Sequence, residues 1–229
     1  MLNLSKVPFK PYYEKDGIVI YNADCRQVLP FLPKFDLLLT DPPYGISVVT
    51  QFRNAKKSGK SIFAKSRNVF HGPEWDKSAP TDELIETVTA AAIQLILWGA
   101  NYYNNTLANA SKMLVWDKMN GTNNMADVEL AWTNIKGQSR MFRMHHFSKG
   151  SEPKQHPTQK PVPLMVWCMK HAGEFETILD PFMGSGTTLV AAKQEGKKAV
   201  GIELEERYCE VAVNRLAQNV LFGDVSNEL

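Results

Sequence analysis

The pattern of apolar and polar positions predicts strands that alternate with helices. Short apolar runs, read as buried strands or a weakly alternating edge strand, occupy residues 17–22, 35–40, 94–98, 112–116, 128–132, 177–180 and 198–203. Helical stretches are predicted at residues 25–32, 81–92 and 162–170, after a glycine turn as far as Glu195, and at residues 205–218. Such alternation is typical of an α/β protein with a doubly wound, mostly parallel sheet.

Two segments depart from this pattern and carry most of the positive charge. Residues 46–80 show no sustained period, and a loop of that length in a compact domain is usually functional or disordered. Residues 51–77 and residues 134–160 each carry a net charge of +5, whereas the rest of the chain carries −8. Lysine and arginine gain affinity for phosphates by displacing counterions, so the two segments suggest a polyanionic partner. Either segment alone could equally be a solvated loop.

Composition narrows the class of protein. A chain of 229 residues that is 44% hydrophobic favours one domain with insertions over two equal domains. No apolar run reaches the roughly 18 residues of a membrane span, and the first residues lack the features of a secretory signal. Cys25, Cys168 and Cys209 lie far apart without metal-binding or redox spacing, which predicts a reduced, cytosolic protein without a structural metal.

The first candidate site is Asp41-Pro42-Pro43-Tyr44, directly after the predicted strand 35–40. Two prolines end the strand abruptly, and ligands of open α/β sheets bind beyond the carboxyl ends of strands. The turn therefore presents a carboxylate and an aromatic ring at the expected site. Taken alone, the four residues also fit a proline turn with a surface tyrosine. Asp24, at the end of another strand, fits both a helix cap and a cofactor ligand.

The second candidate site lies in residues 177–203, where a strand, a glycine turn, a helix and a second strand follow one another. Gly184 and Gly186 would let a ligand approach the backbone, and the helix start supplies free N–H groups. Glu203 ends the next strand, 17 positions after Gly186, where a carboxylate can accept both hydroxyls of a ribose. The spacing differs from Gly-x-Gly-x-x-Gly, which argues against a pyrophosphate ligand.

Together the two motifs resemble those of the S-adenosylmethionine-dependent DNA amino-methyltransferases. The matching residues are Asp41-Pro42-Pro43-Tyr44 and Asp180-Pro181-Phe182-x-Gly184-x-Gly186-Thr187. The catalytic motif precedes the cofactor motif, and His156-Pro157-Thr158-Gln159-Lys160-Pro161 lies just before the latter. This order resembles the beta group of the family. The resemblance covers residues 17–45 and about 94–216.

The resemblance implies a single Rossmann-like domain over residues 1–229. Its sheet would have seven strands, mostly parallel, with one antiparallel strand near the edge. Circular permutation would place the strand ending at Glu203 beside the strand ending at Asp24. The implied parts are a catalytic-motif half, 17–45; a basic loop insertion, 46–80; a sheet continuation, 81–133; a basic target-recognition insertion, 134–160; and a cofactor-binding half, 161–218.

For the cofactor, S-adenosylmethionine, the resemblance implies a role for each matching residue. Phe182, Gly184 and Gly186 would line its methionine part, Glu203 would hold its ribose, and Asp24 would contact its adenine amino group. The remaining residues of the glycine motif, Asp180, Pro181, Ser185 and Thr187, would complete the site. Thr158 and Lys160 would lie near the cofactor carboxylate, although a structural loop explains them equally well.

For the substrate, the resemblance implies a flipped adenine base in double-stranded DNA. Asp41 and the carbonyl of Pro42 would accept hydrogen bonds from its amino group, on a turn that Pro43 rigidifies, and Tyr44 would stack on the ring. No metal or covalent intermediate is required. The predicted DNA-binding residues are Arg53, Lys56, Lys57, Lys60, Lys65, Arg67, Lys136, Arg140 and Arg143.

Three alternatives stay open at this point. The cytosine members of the family usually carry serine at the position of Asp41, so transfer to adenine N6 is favoured over cytosine N4. Methylation of RNA or of protein glutamine uses a similar tetrapeptide, but the glycine motif then usually comes first. A module that only binds nucleic acid would be expected to have lost one motif. A cytoplasmic enzyme of a bacterium or phage is implied; a homodimer and a cognate restriction endonuclease are left open.

Overall fold

The computed structural model describes residues 2–45, 79–103, 107, 110–121, 126–145 and 159–218. Its strands are β1 Tyr13–Lys15, β2 Ile18–Asn22, β3 Phe35–Thr40, β4 Ala92–Trp98, β5 Lys112–Asp117, β6 Val128–Thr133, β7 Arg140–Arg143, β8 Thr177–Asp180 and β9 Lys198–Glu203. Its α-helices are α1 Cys25–Val28, α2 Asp82–Ala90, α3 Val162–Lys170, α4 Thr187–Gln194 and α5 Glu206–Ala217. Short 3₁₀ helices span Leu29–Phe31 and Ala100–Tyr102.

The strands form one mixed sheet in the order β1-β2-β9-β8-β3-β4-β6-β5-β7. The five strands from β2 to β4 in this order are mutually parallel, whereas β6 runs antiparallel to both β4 and β5. The expectation that the strand ending at Glu203 lies beside the first long strand is confirmed, because Asn22 pairs with Glu203 in register. The carboxyl ends of the five parallel strands therefore meet at one edge.

The predicted number of seven strands was wrong, since the described residues form nine. One addition, β1, pairs with β2 across a turn in which Asp16 and Gly17 have φ of 53° and 79°. The other, β7, lies inside the segment read as a basic insertion and pairs in parallel with β5. Both are outermost strands of three or four mostly exposed residues, too short to give an alternating pattern.

Helices cover both faces of the sheet and bury its central strands. Leu37 and Leu39 of β3 pack in the cluster that includes α3, α4 and α5, and Leu38 packs in the opposite cluster with α1 and α2. All three leucines are fully buried, which explains why β3 reads as a continuous apolar run. Among the described residues, no helix is both long enough and apolar enough to span a bilayer.

Side chains pack closely around Gly201 of β9. A Cβ atom there would lie 2.5 Å from Met183 Sδ and 2.9 Å from both Cδ atoms of Leu189, so a methyl group fits only if these side chains shift. We expect Gly201→Ala to lower the free energy of unfolding by about 1–3 kcal/mol, measured by urea denaturation. In a Leu189→Ala background the same change should cost less, because the removed side chain leaves space. An equal cost in both backgrounds would contradict the packing argument.

Candidate active site

Both sequence motifs line a single cavity of about 340 Å³ at the carboxyl edge of the parallel strands. The turn after β3 contributes Asp41 through Tyr44, and the turn after β8 contributes its residues from the other side. Asp24 and Glu203, at the ends of β2 and β9, complete the wall. The remaining predicted residues on this wall are Lys160, Asp180, Pro181, Phe182, Gly184, Ser185 and Thr187. The fold thus brings together motifs that lie about 140 residues apart.

Asp41 is enclosed by partners on both carboxylate oxygens. Its Oδ1 accepts a hydrogen bond from the hydroxyl of Tyr44, and its Oδ2 lies 2.5 Å from Lys160 Nζ. Burial raises the pKa of Asp41, although the Lys160 ammonium acts in the opposite direction. Burial and the neighbouring Asp41 carboxylate raise the pKa of Tyr44 well above its ordinary value. The turn therefore holds a charge-assisted hydrogen-bond acceptor in a largely desolvated position.

Lys160 lies between two carboxylates rather than at an open surface. Its ammonium is 3.0 Å from Glu129 Oε2 on β6, in addition to its contact with Asp41, and its side chain is 4% exposed. Glu129 also contacts Lys118, through Oε1 at 2.5 Å. Burial alone would raise the pKa of Glu129, but Lys160 and Lys118 lower it to about 2. Burial alone would lower the pKa of Lys160, but Asp41 and Glu129 raise it.

Aromatic side chains fix the Tyr44 ring. It stacks on Tyr102 with ring centroids 4.6 Å apart and planes 11° from parallel, and it meets Tyr103 edge-on at 6.5 Å. Gly99 has a φ of 80°, and a Cβ atom there would fall 2.1 Å from Tyr44 Cε1. Only glycine therefore lets β4 end so close to the ring. These contacts leave Tyr44 half-buried under Tyr102, whose own side chain is exposed.

The glycine turn is shaped by close packing as well as by backbone conformation. Gly184 and Gly186 both have positive φ, 50° and 75°, and α4 begins immediately after them. A Cβ atom on Gly186 would lie 2.6 Å from the Cβ of Ala212, so helix α5 itself requires glycine there. The sequence suggested ligand approach as the reason for this residue. The structure adds a packing reason that needs no ligand.

Two acidic residues hold the turn in place from below. Asp180 accepts hydrogen bonds from Thr40 Oγ1 at 2.7 Å and from the N–H of Phe182 at 3.2 Å, and burial raises its pKa to about 6. Glu203 accepts from the N–H of Gly184 at 3.0 Å and of Glu205 at 2.8 Å. Burial raises the pKa of Glu203 to about 7. The cavity floor thus contains two carboxyl groups that bind protons more tightly than usual.

Asp24 caps helix α1, one of the two roles that the sequence left open for it. Its Oδ1 accepts a hydrogen bond from the N–H of Arg26 at 2.9 Å. Its carboxylate also pairs with the Arg26 guanidinium, and that hydrogen bonding lowers the pKa of Asp24. The side chain nevertheless lines the cavity, so its predicted contact with a cofactor stays a prediction.

Comparison with known proteins decides the family. Residues 35–214 match the N6_N4_Mtase model, whose description is DNA methylase. The chain belongs to this DNA methylase family. The type II methyltransferase M2.LlaDCHI of Lactococcus lactis subsp. cremoris is 26% identical to it, over 93% of this chain and 94% of the relative.

Solved structures share the fold of this DNA methylase at lower sequence identity. The cytosine-N4-specific PvuII DNA methyltransferase has a TM-score of 0.63 at 15% identity, covering 93% of this chain and 91% of that one. The M1.HpyAVI structure, a complex with S-adenosylmethionine, has a TM-score of 0.59 at 21% identity, covering 88% of this chain and all of that one. At these identities the likeness concerns the fold alone.

The predicted DNA-binding residues of the methylase are only partly described. Lys136, Arg140 and Arg143 are exposed at or near β7, and Arg143 Nε lies 3.4 Å from Asp117 Oδ2. The other predicted DNA-binding residues fall outside the described ranges: Arg53, Lys56, Lys57, Lys60, Lys65 and Arg67. Thr158, predicted near the cofactor carboxylate, also falls outside them. Within the described ranges, no group of three or more His, Cys, Asp or Glu side chains could hold a metal ion.

Sequence reasoning missed two residues that support the motifs of the methylase. The hydroxyl of Tyr103 donates to the carbonyl oxygens of Pro42 and Pro43, at 3.2 and 2.7 Å, and so anchors the first turn. Arg215 of α5 is 2% exposed and donates to the Ser185 carbonyl at 2.6 Å and to Thr187 Oγ1 at 3.1 Å. Arg215 lies between buried Ala212 and Leu216, a position that could have revealed it.

The Arg215 contacts predict a stability effect centred on the glycine turn. Arg215→Met removes its guanidinium and leaves buried oxygens of Ser185 and Thr187 with fewer donors. We expect a loss of about 2 kcal/mol in the free energy of unfolding, measured by urea denaturation. Arg207→Met, on the same helix but 43% exposed, is the matched control and should change stability by less than about 1 kcal/mol. Equal effects of the two substitutions would contradict the bracing role.

Proposed function

We propose that this DNA methylase transfers a methyl group from S-adenosylmethionine to the N6 amino group of adenine in double-stranded DNA. The observation that carries the proposal is the single cavity shared by Asp41 and the glycine turn. A cofactor held by the second motif would thus lie beside a base held by the first. Holding two reactants in contact replaces an encounter in solution and lowers the barrier by several kcal/mol.

The residues around the glycine turn fit the proposed cofactor. A cavity of about 340 Å³ is within the usual range for small-molecule sites. Each Glu203 oxygen accepts one backbone hydrogen bond, and a carboxylate oxygen can accept two, so capacity remains for ribose hydroxyls. Phe182 and Gly184 would line the methionine part, and Asp24 would meet the adenine ring. Gly186, also predicted there, is not a lining residue and packs against Ala212 of α5. The cofactor supplies an electrophilic methyl group.

Asp41 and the turn that carries it fit the proposed substrate. The adenine amino group is a weak nucleophile because its lone pair is delocalised into the ring. Acceptors at Asp41 and the Pro42 carbonyl would draw its hydrogens out of that conjugation and stabilise the positive charge that develops during transfer. The base must leave the duplex to reach them, which costs a few kcal/mol, and stacking on Tyr44 would return part of this.

Four observations support the finer parts of the proposal. The carboxylate at position 41, where the cytosine members of the family usually have serine, favours adenine. The position of β9 between β2 and β8 supports the permuted chain order of the beta group. Exposed Lys136, Arg140 and Arg143 would contribute contacts with DNA phosphates. The similarity to a type II methyltransferase supports a cytoplasmic role in restriction and modification.

The base and the role of Asp41 can be tested in one assay. We expect unmethylated DNA incubated with methyl-labelled S-adenosylmethionine to yield labelled N6-methyladenine after digestion to nucleosides and mass spectrometry. Asp41→Ala should reduce the rate by at least about 100-fold, because the charged acceptor is lost, while calorimetry shows nearly unchanged cofactor affinity. Asp127→Asn, at an exposed site, is the control and should retain activity. Labelled N4-methylcytosine would overturn the base assignment, and an active Asp41→Ala enzyme would overturn the mechanism.

The raised pKa of Glu203 predicts how cofactor affinity depends on pH. Ribose hydroxyls donate more strongly to the carboxylate than to the protonated acid, so affinity should fall as pH drops through about 7. We expect binding measured by calorimetry to be about tenfold weaker at pH 6 than at pH 8, from the fraction ionised. Glu203→Gln should bind weakly at both values and lose this dependence. An unchanged pH profile in that variant would rule out Glu203 as the titrating group.

A further inference from the structure

The chain of buried charges behind Asp41 extends beyond the residues that contact the proposed substrate. Lys160 Nζ lies 2.5 Å from Asp41 Oδ2 and 3.0 Å from Glu129 Oε2, so the two carboxylates share one ammonium. The side chains of Lys160, Asp41 and Glu129 are 4%, 17% and 22% exposed. Charges in such an environment interact strongly because little water screens them. A change in the charge of Glu129 therefore alters the electrostatic environment of Asp41.

The position of Glu129 is set by the sheet and not by the site. It lies on β6, the strand that runs antiparallel between β4 and β5, and pairs with Trp116 of β5. Lys118, two residues beyond Trp116, contacts the other oxygen of Glu129 at 2.5 Å. Glu129 thus competes with Asp41 for Lys160 from a fixed point on the backbone.

We propose that Glu129 is a positioning residue for methyl transfer, which shares the Lys160 ammonium and so leaves Asp41 free to accept hydrogen bonds from the target amino group. This inference rests on the proposed function. If Asp41 were the only carboxylate paired with Lys160, it would be a weaker hydrogen-bond acceptor, because that ion pair would neutralise more of its charge. Lys160 then keeps Asp41 ionised in a buried site, and Glu129 weakens the ion pair between Lys160 and Asp41.

The surroundings of Asp41 fix the direction in which its titration should move. The titratable groups that face it are Tyr44 on its own turn, Lys160 ahead of α3, Glu129 on β6 and Asp180 at the end of β8; Lys118 lies behind Glu129. Removing the charge of Glu129 takes away a nearby anion and releases Lys160 to Asp41, and both changes favour the Asp41 carboxylate. Removing Lys160 takes away the counterion of Asp41. The two substitutions should therefore shift the pKa of Asp41 in opposite directions.

The test measures titration and rate separately. The carboxyl signal of Asp41, identified with Asp41→Asn, is followed by carbon NMR against pH in the protein without DNA. We expect Glu129→Gln to lower the pKa of Asp41, and Lys160→Met to raise it, each by about one pH unit. In single-turnover assays with DNA, Glu129→Gln should reduce the rate by about tenfold at pH 8, with unchanged cofactor affinity.

A matched control separates this effect from a general loss of an ion pair. Glu176 pairs with Lys197 at 2.9 Å, far from the cavity lining, and Glu176→Gln should alter neither the titration nor the rate. If Glu129→Gln does not fold, Lys118→Met is the variant to measure. Without Lys118, Glu129 attracts Lys160 more strongly, so the pKa of Asp41 should rise. An unchanged pKa of Asp41 in this variant would overturn the proposal.

The outcomes distinguish this inference from the proposed function. An Asp41 pKa that rises or stays constant in folded Glu129→Gln overturns the inference, even if the wild-type enzyme methylates adenine. A lowered pKa with an unchanged single-turnover rate also overturns it, because Glu129 would then tune the carboxylate without assisting transfer. Failure of the wild-type protein to methylate DNA would instead overturn the proposed function, while the titration still reports whether the charges are coupled.

Discussion

A buried hydrogen bond between two parallel strands joins the halves of the site. Thr40 Oγ1, at the end of β3, donates to Asp180 Oδ1, at the end of β8. The same strands pair in register through Leu37 with Ile178 and Leu38 with Leu179. This pairing places the turn after Thr40 beside the turn after Asp180, and a register slip would move one of them off the shared cavity. The chemistry therefore depends on a backbone alignment set in the middle of the sheet.

Local patterns in the sequence were sufficient to predict both motifs and most of the helices and strands. Burial restricts β3 to apolar residues, and the backbone conformation of the turn before α4 requires glycine, so both segments can be recognised from their own residues. Short edge strands carry no such signal, which is why β1 and β7 were missed. Glu129, Tyr103 and Arg215 were also missed, since their roles arise from contacts with residues 28 to 61 positions away.

The carboxyl groups in the cavity wall and behind it have different proton affinities. Asp180 accepts hydrogen bonds from Thr40 Oγ1 and a backbone N–H group, and Glu203 accepts from two backbone N–H groups. Neither forms an ion pair within the part of the chain that the structure describes, and burial raises their pKa values to about 6 and about 7. Glu129, between two lysines, shifts to about 2. Desolvation acts on all three, so the nearby lysines account for the difference in direction. Groups with displaced pKa values concentrate at functional sites, and here they surround the cavity that both motifs share.

The stacked pair of Tyr44 and Tyr102 has a consequence for which molecules can reach the site. Tyr102 already covers one face of the Tyr44 ring, so a base that stacks on that face must displace Tyr102. A free nucleobase or nucleotide would gain less from that exchange than from stacking on an uncovered ring. A base in a DNA strand has neighbouring phosphates that the protein can hold at the same time. Under the proposed function, this self-stacking discriminates against the abundant adenine metabolites of a cell and in favour of a base within a polymer.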